Sequence, residues 1–247
     1  LRPHMSRTYT YCPKCGHKLP QALPDSAACP ACGIYFFKYL PNPEVIASCV
    51  AEEETAKAGW LDYLLAPLPA QDSVSFYARC ATLVLLTLWS YTLFGYDYQD
   101  GEFGTSFMHL ILLPIHEAGH VLLMPFGEFM TILGGSLFQL ALPFAIGIAF
   151  VYKNHDNYAA ALCLWWTSVS LVDLAPYIYD ALHPQLILLG GHTGEDGPHD
   201  WIYLLSSIGQ LNHSQGWGAF AHTLGGLLML LAIGWAALIL YRQHQQH

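Results

Sequence analysis

Charge is what this sequence lacks. Only 11% of its 247 residues are charged, against about a quarter in an ordinary soluble domain. Lys and Arg number nine, and beyond Arg79 only Lys153 and Arg242 remain. With a formal net charge of −9 and no cationic cluster to neutralise phosphates, nucleic acid is excluded as a partner. An apolar run near the start is also missing, which excludes a cleavable signal peptide; Leu1-Arg2-Pro3-His4 ahead of Met5 reads as a vector-encoded scar, so residues 1–8 are scar and tail. Thirteen histidines are present but no two are adjacent, so the paired histidine boxes of a di-iron membrane oxidoreductase are absent and that reading is weak.

What is there divides into a polar first third and an apolar remainder. Seven cysteines occur, and four of them form two knuckles, Cys12-Pro13-Lys14-Cys15-Gly16 and Cys29-Pro30-Ala31-Cys32-Gly33, while Cys49, Cys80 and Cys163 are scattered. Each knuckle brings two thiolates to one ion from a tight turn, with Pro stiffening the turn and Gly allowing positive φ. Two knuckles complete a closed four-thiolate site, so residues 9–40 read as a structural zinc ribbon folded by its metal, suited to docking or regulation. A regulatory protein contacting the ribbon is the partner this suggests. Residues 41–78 read as a linker with an amphipathic helix from Asn42 to Leu65, ending in Trp60, Tyr63, Leu64 and Leu65.

Residues 79–247 read as a transmembrane domain. Apolar runs at Cys80–Tyr96, Phe107–Phe126, Ile132–Tyr152, Tyr158–Tyr179 and Trp217–Tyr241 each approach the ~20 residues that cross a hydrocarbon core, with Trp and Tyr at many ends. A polar glycine-rich loop, Gly190–Asp200, precedes a helix from Trp201 to about Leu211 that is too short to span and is expected to be re-entrant or packed on the bundle. The fold class is therefore an all-α polytopic membrane bundle of about five transmembrane helices plus that short helix, preceded by a small zinc-ribbon module. Arg7, Lys14, Lys18, Lys38, Lys57 and Arg79 precede the first span, whereas residues 97–106 carry no Lys or Arg. The positive-inside rule then places the N-terminus in the cytoplasm; a plasma (inner) membrane is expected, and a count of five spans would put the C-terminus outside, one more or one fewer inside.

Inside the second run stands His116-Glu117-Ala118-Gly119-His120. Imidazoles four apart on a helix share a face and can reach one zinc ion. Glu117 is placed to act as general base on the water that zinc activates. Ionisable groups at membrane depth cost several kcal/mol unless paired or liganded; the bland alternative is a pair of metal-free histidines hydrogen-bonded in the bundle. Ala118 and Gly119 leave room for a neighbouring helix. His109, on roughly the same face, reads as a residue behind the metal ligands or lining a pore. For the third ligand Asp200 is favoured, at the start of the short helix, with Asp180, His199 and Asp173 as alternatives.

With those residues in view, the chain resembles the site-2 protease family of intramembrane zinc metalloproteases. The resemblance covers about half the chain, from the second span to the helix after Asp200. The family's His-Glu-x-x-His stands at 116–120, and its glycine-rich segment with a downstream Asn is matched by Gly134-Gly135-Ser136-Leu137-Phe138-Gln139, with Gln139 in place of Asn. The family's third ligand lies in an Asn-Pro-rich motif ending Asp-Gly; Asp173-Leu174-Ala175-Pro176-Tyr177-Ile178-Tyr179-Asp180 resembles its upstream part without the Gly, and Asp196-Gly197 keeps only the dipeptide. No PDZ-like insertion is present, and the ribbon stands where a substrate selector would be needed. The resemblance implies hydrolysis of a peptide bond in or near the transmembrane segment of a protein or peptide substrate within the lipid bilayer. It implies one catalytic Zn2+ and adds to it the structural Zn2+ of the ribbon. Gly134 and Gly135 would let an unwound substrate approach and Gln139 would satisfy its amides; the sequence does not single out an oxyanion donor, for which His199 and His213 are the candidates. The non-enzyme alternative is a membrane adaptor or metal transporter using the same histidines.

Overall fold

The computed structural model describes residues 8–24, 26–38, 59–67 and 73–245. The chain divides into two compact units, Leu1–Tyr63 and Leu64–His247. In the first, strands β1 (Thr8–Tyr11) and β2 (Lys18–Pro24) pair antiparallel, Thr8 opposite Pro24 and Tyr11 opposite Lys18. The turn between them carries the first cysteine knuckle, closed by Gly16 N–H donating to the Cys12 carbonyl at 3.0 Å; the second knuckle repeats this with Gly33 and Cys29 at 2.9 Å. Gly16 (φ +69°) and Gly33 (φ +72°) both take the left-handed conformation that a Cβ resists. Buried Cys12, Leu19, Cys29 and Phe36 form the core of this unit. So small a core leaves the fold dependent on a further staple. The expected linker helix is seen only at its end, where α1 (Trp60–Leu64) is helical; residues 42–58 lie outside the described residues.

The second unit consists of α2 (Ser73–Gly95), α3 (Phe107–Leu123), α4 (Glu128–Ala149), α5 (Asn157–Asp180), α6 (Asp200–Ser207) and α7 (Ser214–His244). Among the described residues, five stretches are long and apolar enough to cross a membrane: Ser73–Gly95, Phe107–Phe126, Glu128–Asn154, Asn157–Asp180 and Leu211–His244. They overlap the five apolar runs of the sequence, with the first, third and fifth beginning earlier than expected. The first helix begins at Ser73 rather than Cys80 because Arg79 does not end it: Arg79 Nη2 donates to Asp156 Oδ2 at 3.4 Å, and its carbonyl accepts from the Tyr158 hydroxyl at 2.7 Å. The short helix stops at Ser207 rather than near Leu211. Gly209 at φ +67° donates to the Ser206 carbonyl and Gln210 N–H to that of Leu205, a glycine-based C-terminal cap.

Helix α5 is the most enclosed span, set against α7 on one side and α4 on another, while α3 packs on α4 and α2 on α7. Small residues make that possible. A methyl added at Gly225 of α7 would lie 2.8 Å from Val172 Cγ2 and 3.0 Å from the Ser168 carbonyl of α5, and one at Gly218 would lie 2.9 Å from the Ala175 carbonyl. The α3–α4 crossing is tighter still, because a methyl at Gly119 would run into the Gly134 carbonyl. This close crossing places the α3 histidines directly over α4.

Candidate metal centre

His116 and His120 lie one turn apart on α3, and each ring is oriented by a hydrogen bond at Nδ1. His116 Nδ1 meets Gln139 Oε1 at 2.9 Å and His120 Nδ1 meets the Thr131 carbonyl at 2.9 Å, both partners on α4. With the Nδ1 atoms so engaged, both Nε2 atoms turn to a single carboxylate oxygen: Asp200 Oδ2 lies 3.0 Å from that of His116 and 3.3 Å from that of His120. These three donors form a group that could hold a metal ion, and the four thiols of Cys12, Cys15, Cys29 and Cys32 form another. Sγ of Cys12 and Cys32 are 3.7 Å apart, and those of Cys15 and Cys29 are 3.8 Å apart. Burial pushes the Cys12 thiol up to about 12. Against the burial that works to raise it, backbone N–H groups of Cys32 and Ala31 draw Cys29 down to about 7.

Asp200 reaches the histidines across 84 positions of sequence from His116 because α5 and the loop after it return the chain to α3. It opens α6, and its own N–H donates to the Tyr177 hydroxyl at 2.8 Å, which ties the start of α6 to α5. Glu117 shares a cavity of about 400 Å³ with His116, His120 and Asp200. His109 and Tyr177 also line this cavity, and the segment Leu186–Leu189 forms another part of its wall. That segment is tethered by Asp180, whose Oδ1 accepts the N–H groups of Gln185 at 2.7 Å and Leu186 at 3.2 Å.

No family model, curated protein or solved structure matches this chain.

The site therefore rests on its own geometry, which sorts the expected residues. His116, His120 and Asp200 are brought together, with Glu117 beside them. The other third-ligand alternatives are not part of that donor group. Asp180 holds the loop and faces His199 Nε2 at 3.5 Å, and Asp173 accepts from Gln139 and His109. His199 is buried, caps α6 by accepting the Ile202 N–H at Nδ1, and does not line the cavity; exposed His213 precedes α7 and does not line it either. Gly135 and Gln139 both contact the histidines of the site. A methyl at Gly135 would lie 2.6 Å from ring carbons of both His116 and His120, so the glycine makes room for imidazoles. Gln139, 1% exposed, bonds to His116 and Asp173 while also lining the cavity. Tyr177 and the Thr131 carbonyl escaped the sequence reading. The first had only its place between Asp173 and Asp180 to mark it, and the second is a backbone atom that no side chain announces.

Proposed function

We propose that this chain is an intramembrane zinc metalloprotease, a divergent relative of the site-2 proteases, which cleaves peptide bonds in or near the transmembrane segment of a substrate. The observation that carries the reading is the convergence of two Nε2 atoms on one Asp200 oxygen, at 3.0 and 3.3 Å, on a helix apolar enough to cross a membrane and with Glu117 on the same cavity.

The donor sets suit zinc. Bonds of 2.0–2.2 Å to nitrogen and oxygen put tetrahedral ligand atoms about 3.3–3.6 Å apart, and bonds of 2.3 Å to sulfur put them about 3.8 Å apart. The imidazole–carboxylate and thiol distances fall close to both values. Two histidines and a carboxylate leave a fourth position open for catalysis, whereas four thiolates close the shell and make the N-terminal unit a structural zinc ribbon. Zinc held by His116, His120 and Asp200 would supply Lewis-acid polarisation of a carbonyl and acidification of a water. Glu117 takes the water proton on its carboxylate and passes it to the leaving amine. The Nδ1 bonds to Gln139 and Thr131 hold both imidazoles with Nε2 forward throughout. A substrate helix must unwind to offer its peptide bond, since intact helical hydrogen bonds shield it.

The basic residues ahead of α2 favour a cytoplasmic ribbon, where reducing conditions keep its thiols available to metal. The test is Glu117→Gln in the full chain, reconstituted with a transmembrane peptide. Cleavage is expected to fall by at least about a hundredfold with metal content unchanged. Hydrolysis at the wild-type rate in this variant ends the proposal.

A further inference from the structure

A buried line of hydrogen bonds runs from the metal-facing histidine to a second histidine on the same helix. His116 Nδ1 meets Gln139 Oε1 at 2.9 Å, Gln139 Nε2 donates to Asp173 Oδ2 at 2.7 Å, and Asp173 Oδ1 meets His109 Nδ1 at 2.7 Å. Gln139 and Asp173 are both buried, so water offers them little alternative.

The line has a direction, and chemistry sets it. An imidazole can carry its proton on either nitrogen, and a glutamine amide has a donor end and an acceptor end. Only an ionised carboxylate is restricted, since both its oxygens accept. Asp173 therefore draws an N–H from Gln139 on one side and from His109 on the other. The Gln139 amide is forced to turn its oxygen toward His116, and His116 must donate from Nδ1. That leaves Nε2 with a free lone pair, and Nε2 is the atom that faces Asp200 and Gly135. The opposite amide orientation would have the Gln139 nitrogen donate to Nδ1 and move the proton to Nε2, where it would block a metal.

We infer that Asp173 is a positioning residue that selects the metal-competent tautomer of His116 through Gln139, without touching either imidazole of the site. This rests on the metal-site reading given above. Partners of a metal ligand in this position are generally worth tenfold to a hundredfold in metal affinity.

Reversing the polarity of the line separates this role from simple packing. Asp173→Asn removes the acceptor-only group with almost no change of shape, so both amide orientations become satisfiable. Gln139→Glu sets two carboxylates against each other. In the double variant the acceptor-only group is the new carboxylate at position 139. It takes the N–H of His116 and that of the new amide at position 173, and the oxygen of that amide takes the N–H of His109. The experiment is zinc titration of the full chain in lipid nanodiscs against a chelator, with ribbon zinc as internal reference and a His116→Ala/His120→Ala variant as the one-zinc baseline. Each single variant is expected to weaken the non-ribbon site about tenfold or more, and the double variant to recover to within about threefold of wild type. A two-zinc wild type whose double variant binds no better than the worse single variant overturns the inference and leaves the metal site standing. A wild type that binds no more zinc than the baseline removes the metal reading, and this inference with it.

Discussion

Gly135 sets how closely α4 can lie beneath the imidazoles, and one methyl tests that. In Gly135→Ala the new Cβ would meet ring carbons of both histidines at 2.6 Å. Overpacking of this kind costs about 1–3 kcal/mol, so metal affinity at the histidine site should fall about tenfold or more while the ribbon keeps its ion. Calorimetric zinc titration checks it, and undiminished affinity would show that the rings have room to move. Asp200→Ala should be harsher, because it deletes a donor: the non-ribbon metal is expected to be lost on dialysis, with the helical content of the chain retained by circular dichroism. The residues of the site differ in how far sequence reveals them. His116, Glu117 and His120 are legible because their spacing is a local property of one helix. Asp200 is legible only as one of several carboxylates, since its approach depends on how α5 and its following loop return the chain. Gln139 is legible as a polar group in an apolar run, but its partners are not: the backbone, not the spacing, brings it to His116 and Asp173.

At the scale of elements, the α5–α7 contact depends on the absence of side chains. Gly218 and Gly225 recur seven residues apart on α7 and meet the α5 backbone. Gly225→Val would press on Val172 and the Ser168 carbonyl and should destabilise the membrane unit by about 1–3 kcal/mol, seen as a lower unfolding temperature in detergent. An unchanged unfolding temperature would mean that the two helices are not held at this distance. The five apolar helices were readable because hydropathy is a sum over some ~20 neighbouring residues. Their ends were less so. Arg79 reads as a boundary in sequence, yet it continues α2 because Asp156, the N-cap of α5, pairs with it. Gly209 ends α6 early through a cap that depends on its own backbone conformation and not on hydropathy. The tether from Asp180 to the Leu186–Leu189 wall of the cavity has no sequence signature, since the groups it holds are backbone N–H donors.

At the scale of the whole molecule, a chain with 11% charged residues has, among the described residues, five helices apolar enough to cross a membrane and two groups of side chains that could hold a metal. One is a small unit with four thiols around one point, and the other is a cavity where two imidazoles meet a carboxylate beside Glu117. The account requires each to hold its own metal. Elemental analysis of the full chain, set beside His116→Ala/His120→Ala, tests this most directly: the prediction is two zinc ions per wild-type chain and one in the variant. One zinc in both, held by Cys12, Cys15, Cys29 and Cys32, would contradict it.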